Sequence, residues 1–282
     1  MKILVTGVKG QLGYDIVKLL NEKSIECIGV DIDDFDLTSE KEVRNYILKY
    51  SPTALIHCAA YTAVDKAEDD KEICYNVNVS GTSYISKTCS EIGAKLMYFS
   101  TDYVFDGKGE VPFEISDAPN PINYYGYTKH QGELEVTKSL KNYFIVRTSW
   151  VFGFNGNNFI KTMLRLGLKG DPINVINDQI GSPTYTSDLA KLAIDMIQTD
   201  KYGIYHATNE VFCSWYDFAC EIFRESNLNA YIRPVTTDEY PTKAKRPLNS
   251  RLSKKSLIEN GFNLLPTWQD ALLRYLDEIK ML

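Results

Sequence analysis

The sequence has few of the residues that build metal centres or disulfide frameworks. Its 282 residues include three histidines, which stand far apart at positions 57, 130 and 206. The six cysteines are scattered and form no CxxC pair. This pattern offers no metal-ligand spacing, so we expect no metal site. It also predicts reduced, unpaired thiols, which favours a cytoplasmic protein.

Long apolar runs and an excess of positive charge are missing as well. No run approaches the ~18 apolar residues that a membrane span needs. The apolar start at residues 3–6 is too short for a signal sequence and stops at a glycine. The formal net charge of -6 argues against a nucleic-acid surface. We therefore expect a globular protein that binds neither nucleic acid nor membrane.

What the sequence does contain is a strand, a glycine turn and a helix at its start. The apolar residues 3–6 are followed by Gly7, Gly10 and Gly13, and then by a helical run through Leu20. Glycines let the backbone approach a pyrophosphate closely, and the free N–H groups of a helix N-terminus favour anions. The pattern predicts a dinucleotide site, with a purely structural turn as the competing interpretation.

A second predicted strand, residues 25–30, ends at Asp31. An acid about 20 residues after such a glycine turn can bind the adenosine ribose 2′-hydroxyl and repel a 2′-phosphate. NADH is therefore the expected cofactor, with NADPH possible, and Asp36 and Leu37 are placed beside the adenine. The competing interpretation is a solvated acidic loop. A calcium loop is discounted because Asp36 stands where glycine is needed and Phe35 where a ligand is needed.

Three further apolar segments, residues 54–57, 95–99 and 143–147, predict buried parallel strands. Small residues including Ala59, Ala60 and Thr62 follow the third strand, where the backbone can lie close to a flat cofactor. His57 is interpreted as a hydrogen-bonded strand-end residue rather than a catalyst. Ser100, Thr101 and Asp102 follow the fourth strand, at the edge where an open parallel sheet places its ligand.

This alternation of strands and helices predicts an α/β fold, a doubly wound parallel sheet of the Rossmann type with a smaller α+β substrate domain. We expect residues 1–151 and a returning segment 184–211 to form the dinucleotide-binding domain. Residues 152–183 and 212–282 are then the substrate domain. An aromatic stripe in a predicted helix at 214–225 is interpreted as core.

Tyr125 and Lys129 stand four residues apart on a predicted helix and so share one face. A lysine held there can lower the pKa of the phenol toward working pH, and such a tyrosine can exchange a proton with an alcohol or ketone. Thr101 adds a hydroxyl for the same oxygen. The competing interpretation is a surface helix with an incidental Tyr-Lys pair.

A basic cluster in the second half offers cations for a diphosphate. It comprises Lys243, Lys245, Arg246 and Arg251. Arginine can bind a phosphate with two parallel hydrogen bonds, which favours Arg246 as a substrate ligand, although a solvated basic loop fits equally well. Asn158 is a weaker candidate for contact with the nucleotide.

Taken together, the glycine turn, residues 59–62, residues 100–103 and the Tyr125–Lys129 pair resemble the extended short-chain dehydrogenase/reductases. More narrowly, residues 59–68, 100–107, 150–153 and 246–252 are similar to the dTDP-4-dehydrorhamnose reductase family within them. The resemblance spans nearly the whole chain. It implies reduction of a dTDP-linked 4-keto sugar, dTDP-4-dehydro-L-rhamnose, to dTDP-L-rhamnose with a reduced nicotinamide.

The resemblance also implies roles for individual residues, which add to those proposed from the residues themselves. The catalytic set is Thr101, Tyr125 and Lys129. The expected cofactor set is Gly7, Gly10, Gln11, Leu12, Gly13, Asp31, Asp36, Leu37, Ala59, Ala60, Thr62, Tyr125 and Lys129. The expected substrate set is Thr62, Thr101, Asp102, Tyr103, Trp150, Asn158 and Arg246.

Three alternatives stay open at this point. A 4,6-dehydratase of this family carries an acid pair after the threonine, whereas Asp102 is followed here by Tyr103. A 4-epimerase would consume no external NADH. A non-catalytic regulatory subunit on the same fold would be favoured by loss of the Tyr-Lys pair, which is intact.

Some relatives form a magnesium-bridged dimer through glutamates. The shorter Asp15 and Asp188 stand here, so we expect no bridging metal and leave a homodimer open.

Overall fold

The computed structural model describes residues 1–280, which form twelve strands and eleven α-helices. The strands are β1 (Ile3–Thr6), β2 (Cys27–Val30), β3 (Ala54–His57), β4 (Lys95–Thr101), β5 (Tyr143–Thr148), β6 (Val151–Phe152), β7 (Ile173–Ile176), β8 (Ile180–Gly181), β9 (Thr184–Tyr185), β10 (Gly203–His206), β11 (Cys213–Ser214) and β12 (Ile232–Val235). The helices are α1 (Gln11–Glu22), α2 (Glu40–Tyr50), α3 (Val64–Ala67), α4 (Lys71–Tyr75), α5 (Thr82–Ile92), α6 (Tyr124–Ser139), α7 (Phe159–Gly167), α8 (Thr186–Ile197), α9 (Trp215–Glu225), α10 (Lys255–Glu259) and α11 (Trp268–Lys280). A π-helix (Asn76–Gly81) joins α4 to α5, and a 3-10 helix (Asp102–Val104) follows β4.

The central sheet has six strands in the order β10-β5-β4-β3-β1-β2. Every neighbouring pair is parallel, and the register aligns Thr6 with His57 and Thr101 with Thr148. The carboxyl ends of the strands therefore lie along one edge, and the chain segments that leave them meet there. The predicted doubly wound parallel sheet is confirmed.

Alternating strand side chains fill two hydrophobic layers, one on each face of the sheet. Ile3 and Val5 pack with α1 and α8, whereas Leu4 packs on the opposite face with α2, α5 and α6. The strands are apolar on both faces because helices cover both. α8 packs against α1 on the face of the sheet that carries Ile3 and Val5, and β10 is an edge strand of the sheet itself. These two elements of the segment 184–211 therefore pack with the predicted dinucleotide-binding domain. The domain boundaries themselves stay a prediction.

A separate hydrophobic cluster forms the smaller lobe. It is built from α7, α9 and α11 with the parallel pair β7–β12, and its buried centre includes Phe152, Ile160, Phe218, Trp268 and Tyr275. The prediction that aromatic residues of α9 form core is confirmed for Phe218 and Phe223, which are buried there. This lobe lies beside the carboxyl edge of the central sheet because β6 leaves β5 and pairs with β9.

Two helical regions depart from regular geometry. The helical stretch between residues 70 and 93 is divided into α4, a π-helical turn and α5, and such turns frequently mark functional sites. Ser39 and Glu42 have the spacing of a capping box at the start of α2, and that box is half formed. The Ser39 side chain accepts from the Glu42 N–H, but the Glu42 carboxylate accepts from the Asp36 N–H instead. Within residues 1–280, no helix has both the length and the apolar character that crossing a bilayer requires.

Candidate active site

A crevice of about 1010 Å³ lies along the carboxyl edge of the central sheet. Most of the expected site residues line it. They are Gly7, Gly10, Gln11, Leu12, Gly13, Asp31, Asp36, Leu37, Ala59, Ala60, Thr62, Thr101, Asp102, Tyr103, Tyr125, Lys129 and Trp150. Asn158 and Arg246 do not form part of its wall. One crevice therefore brings together the glycine turn and the Tyr-Lys pair, which lie more than a hundred positions apart in the sequence.

The glycine turn is packed too closely for larger residues. A Cβ on Gly7 would lie 2.5 Å from the Ala59 nitrogen, and Gly7 has φ +74. A Cβ on Gly13 would lie 2.3 Å from the Gly7 oxygen. α1 then begins at Gln11 with no side-chain cap, so no cap side chain occupies its first N–H groups. Free N–H groups at a helix N-terminus that faces a crevice fit a pyrophosphate.

Asp31 is held at the end of β2 by backbone donors. Its carboxylate accepts hydrogen bonds from the Lys9 N–H at 2.7 Å and from the Ile32 N–H at 2.9 Å. The Lys9 ammonium forms an ion pair with Asp33. These contacts place the Asp31 carboxylate on the crevice wall beside the glycine turn, where the sequence predicts a contact with the ribose.

The side chain of Gln11 connects the glycine turn to the smaller lobe. Its Oε1 accepts from the Gly153 N–H at 2.8 Å and from Asn158 Nδ2 at 3.2 Å. Asn158 also caps α7 through the Lys161 N–H at 3.0 Å and donates to the Tyr275 hydroxyl at 2.9 Å. The Asn158 amide is thus committed inside the protein, and the structure does not bring it to the crevice as the sequence suggested.

Helix α6 presents Tyr125 and Lys129 to the crevice on one face. Its start is fixed by the Asn123 side chain, which accepts from the Gly126 N–H at 2.8 Å. A Cβ on Gly126 would lie 2.1 Å from the Tyr103 oxygen, so glycine is needed for α6 to approach the segment after β4. Tyr127, by contrast, is 41% exposed and does not line the crevice, as the helical spacing predicts.

Thr101 and Asp102 form a buried pair beside Tyr125. The Thr101 hydroxyl donates to Asp102 Oδ1 at 2.9 Å and accepts from the Tyr103 N–H at 3.2 Å. Asp102 is 3% exposed, and its Oδ2 has no hydrogen-bond partner among residues 1–280. Burial raises the pKa of Asp102 to about 6, although the nearby Ser250 hydroxyl and the hydrogen bond from Thr101 oppose this. The second carboxyl oxygen is therefore available to a ligand.

The expected lowering of the Tyr125 pKa by Lys129 is wrong for this structure. Burial raises the pKa of Tyr125 above its usual value, and the nearby Asp102 raises it further, while the Thr101 hydroxyl opposes the shift. Burial also lowers the pKa of Lys129 to about 7, so at neutral pH its charge is only partly retained. Tyr125 therefore keeps its proton at neutral pH, which is the form that a proton donor requires.

A buried ion pair lies one helical turn beyond Lys129. Arg147 donates to both carboxylate oxygens of Glu133, at 2.8 and 2.7 Å, and both side chains are buried. Burial favours a higher pKa for Glu133, but the hydrogen bonds from Arg147 and the nearby His130 ring outweigh it and lower the pKa to about 2. The Glu133 charge opposes the fall in the Lys129 pKa. The Lys129 ammonium itself lies 4.0 Å from the centre of the Tyr98 ring.

His57 is a hydrogen-bonded strand-end residue, as the sequence predicted. Its Nδ1 lies 2.7 Å from the Thr6 hydroxyl, and its Nε2 lies 3.3 Å from that of Thr82. Burial lowers the pKa of His57 to about 3, which keeps it neutral.

Asn78, in the π-helical turn, accepts a hydrogen bond from the N–H of Tyr61 at 2.8 Å and donates one to the carbonyl of Tyr61 at 3.1 Å. It thereby fixes the segment that follows β3.

Two of the four residues of the predicted basic cluster form ion pairs. Arg246 pairs with Asp65 at 2.6 Å, and Lys243 pairs with Asp69. These contacts tie the segment around Arg246 to α3 and the residues after it, and none of the four cluster residues lines the crevice. The same segment places Ser250 near Asp102.

Asp15 and Asp188, the positions considered for a bridging metal, have protein partners. Asp15 accepts a hydrogen bond from Thr186, and Asp188 forms an ion pair with Arg274 at 2.7 Å. Burial raises the pKa of Asp15 to about 6. Among the described residues, no group of three or more His, Cys, Asp or Glu side chains is arranged to hold a metal ion.

Sequence reasoning missed Trp215 as a crevice residue. It is the first residue of α9, and its ring stacks on Trp150. The aromatic stripe of α9 is interpreted as core, and that holds for Phe218, whereas Trp215 is partly buried against the same cluster and also lines the crevice. A tryptophan directly after the Ser214 cap was the available signal, since the first turn of a helix is often exposed.

A parallel sheet with an uncapped helix at a glycine turn, and a Thr-Tyr-Lys set on the facing wall, define an NAD(P)-dependent enzyme of the short-chain dehydrogenase/reductase class. The comparisons with known proteins narrow this class. The family model described as "RmlD substrate binding domain" matches residues 1–281. A dTDP-4-dehydrorhamnose reductase from Aggregatibacter actinomycetemcomitans is 41% identical over 286 residues, covering 96% of this chain and 97% of that protein.

Solved structures give the same result. The crystal structure of a dTDP-4-dehydrorhamnose reductase from Clostridium acetobutylicum has a TM-score of 0.97 and 41% identity, with 100% of both chains covered. That of dTDP-4-dehydrorhamnose reductase from Bacillus anthracis, in complex with NADP, has a TM-score of 0.96 and 41% identity, covering 99% of this chain and 100% of that one. The chain therefore belongs to the dTDP-4-dehydrorhamnose reductase family.

Proposed function

We propose that the protein reduces the 4-keto group of dTDP-4-dehydro-L-rhamnose to give dTDP-L-rhamnose, using NAD(P)H. The observation that carries the proposal is the placement of Thr101, Tyr125 and Lys129 on one wall of a crevice whose other end is the glycine turn. Membership of a family whose members are named for this reaction supplies the substrate.

A reduced nicotinamide would supply the hydride when bound. The first N–H groups of α1 would hold its pyrophosphate, and Asp31 would bind the adenosine ribose. Ala59 and Ala60, packed against the glycine turn, offer a flat backbone surface beside the cofactor. Together these residues fix the orientation of the two reactants, which is a large part of the rate enhancement.

Tyr125 donates a proton from its hydroxyl to the ketone oxygen. Its raised pKa favours this direction because the phenol carries its proton at neutral pH. Thr101 lies beside Tyr125, and its hydroxyl turns from Asp102 Oδ1 to the ketone oxygen and polarises the carbonyl when substrate is present. The Lys129 ammonium stabilises the phenolate that the transfer leaves. Asp102 Oδ2, which is buried on the crevice wall, hydrogen-bonds a sugar hydroxyl.

NADH is the proposed preferred form of the cofactor. The Asp31 carboxylate lies on the crevice wall, and the Lys9 ammonium beside it is engaged by Asp33, so a 2′-phosphate would meet a negative charge there. Replacing Asp31 with Asn removes that charge. The ratio of kcat/KM for NADH to that for NADPH should fall by roughly tenfold or more. An unchanged ratio would contradict the preference.

An NADH-oxidation assay tests the proposed substrate. The purified protein is given dTDP-4-dehydro-rhamnose, and in parallel the corresponding UDP- and GDP-linked ketosugars. We expect oxidation with the dTDP sugar and much slower oxidation with the other two. A 4-epimerase would convert the sugar without consuming NADH. The absence of both reactions would favour a non-catalytic role.

We also propose that no metal bridges two copies of this chain. Thr186 and Arg274 engage Asp15 and Asp188, which supports this proposal. If a homodimer forms, its mass in sedimentation should be the same in magnesium and in EDTA.

All six cysteines are unpaired, which supports a reducing compartment such as the cytoplasm.

A further inference from the structure

Two tryptophans stack on the substrate end of the crevice wall. The rings of Trp150 and Trp215 have centroids 3.7 Å apart and planes 13° from parallel. Phe159 packs against Trp215 from the smaller lobe, with centroids 4.6 Å apart. Trp150 and Trp215 both line the crevice. The three rings therefore connect the interior of the smaller lobe to the crevice surface.

Trp150 has an uncommon backbone conformation. Its φ is +51, in a region that bulky residues rarely adopt and keep only where their surroundings determine it. The Trp150 carbonyl accepts from the Thr184 N–H at 3.1 Å, and the preceding Ser149 donates to the Ser182 carbonyl at 2.9 Å. The turn is thus fixed on its backbone side, and the indole is directed onto Trp215.

One strand pair, β8 with β11, lies beside the Trp150 ring. It is antiparallel, with Gly181 opposite Cys213 and Ile180 opposite Ser214, and Trp215 follows Ser214 at the start of α9. A Cβ on Gly181 would lie 2.9 Å from Cε2 of Trp150. Glycine at this position makes room for the indole, and Trp215 covers one face of it. This arrangement restricts the Trp150 ring more than a surface tryptophan would be restricted.

We propose that Trp215 is a positioning residue for the sugar nucleotide, acting by holding the Trp150 indole in place. The proposal rests on the proposed function, because it takes the ligand of this wall to be a dTDP-linked deoxysugar. An indole offers a flat apolar surface that packs on the carbon–hydrogen face of a sugar ring, and holding it beforehand avoids an ordering cost on binding. Trp215 therefore contributes to substrate affinity but not to dinucleotide affinity.

Binding of dTDP-rhamnose, measured by calorimetry with the cofactor-loaded protein, tests the proposal without requiring turnover. Trp215→Leu removes the stacking ring and should weaken dTDP-rhamnose binding by roughly fivefold to tenfold. Trp215→Phe keeps an aromatic ring and should recover most of that affinity. Trp268→Phe is the matched control, since Trp268 is buried in the smaller lobe away from the crevice. NADH affinity should be the same in all four proteins.

Circular dichroism gives a second readout that reports the stack itself. Two indoles this close couple their transitions and produce a paired positive and negative far-ultraviolet signal. That signal should be lost in Trp215→Leu and in Trp215→Phe but kept in Trp268→Phe. The proposal would be overturned if Trp215→Leu lost the circular-dichroism signal and still bound dTDP-rhamnose as tightly as the wild type. The proposed function would instead be overturned by a wild-type protein that binds dTDP-rhamnose but oxidises no NADH with dTDP-4-dehydro-rhamnose.

Discussion

The two walls of the crevice are built in different ways. The catalytic wall uses two short segments, β4 with its following turn and the first turns of α6, and each is fixed by neighbours close in sequence. The substrate wall joins residues near positions 150, 181 and 215, drawn from strands, a helix and loops of the smaller lobe. The catalytic side chains are thus positioned by contacts within short segments. The position of the side chains on the substrate wall depends instead on how the smaller lobe packs against the sheet.

The largest effect should come from the catalytic wall. Tyr125→Phe removes the donated proton while keeping the ring that packs against Tyr103. We expect kcat for ketosugar reduction to fall roughly a hundredfold or more, with NADH affinity little changed. Single-turnover measurement of NADH oxidation at saturating ketosugar checks this. Near-normal turnover would remove Tyr125 from the proposed mechanism.

A large stability effect should follow from breaking the ion pair behind Lys129. Glu133→Ala leaves the Arg147 guanidinium buried without its partner. The free energy of unfolding should fall by about 3–5 kcal/mol, because an unpaired buried charge is costly. Urea denaturation measures it. The double variant Glu133→Leu with Arg147→Met should recover most of the loss, and a loss as large as in Glu133→Ala would show that packing matters more than the charge.

The pH dependence of kcat/KM tests the protonation state of Lys129 on the same catalytic wall. The charged form of Lys129 supports the reaction, and its pKa is lowered to about 7. As pH rises through about 7 the ammonium loses its proton, so kcat/KM for NADH, which reports the free enzyme, should fall by about tenfold per pH unit. Lys129→Met should be much less active and show no such fall. The same inflection in Lys129→Met would assign it to another group.

The smallest effect should come from the link between the two lobes. Asn158→Ala removes the cap of α7 and the contact to Gln11. Stability should fall by about 1 kcal/mol. The KM values for NADH and for the ketosugar should rise together because Gln11 belongs to the glycine turn. A rise in the ketosugar KM alone would support Asn158 as a direct ligand. Ser39→Ala, which removes the cap of α2 away from the crevice, is the control for lost stability.

The same contrast explains what the sequence could predict. The glycine turn and the Tyr125–Lys129 pair follow from spacing on adjacent local elements, and both lie on the crevice as expected. The electrostatic environment of those groups could not be predicted from spacing, because the pKa of Tyr125 depends on its desolvation in the fold and on the approach of Asp102. Arg246 has the right chemistry for a diphosphate, but its partner Asp65 lies 181 positions away and could not be inferred from spacing.

The prediction for Trp215 was incomplete for a related reason. Its helix has an aromatic stripe that packs in the smaller lobe, and Trp215 is partly buried there. The pairing of β8 with β11 fixes the chain directly before α9, and Trp215 stacks on Trp150. A two-residue strand pair has too weak a pattern to be found from sequence, so the substrate wall was visible only in the folded chain.

Deuterium transfer tests the proposed reduction most directly. The protein is incubated with dTDP-4-dehydro-rhamnose and NADH that carries deuterium at the transferable position, and the product is examined by NMR. The proposed reaction predicts dTDP-rhamnose with deuterium at the sugar C4. A product without deuterium at C4, or a sugar converted while the labelled NADH stays unchanged, would contradict it.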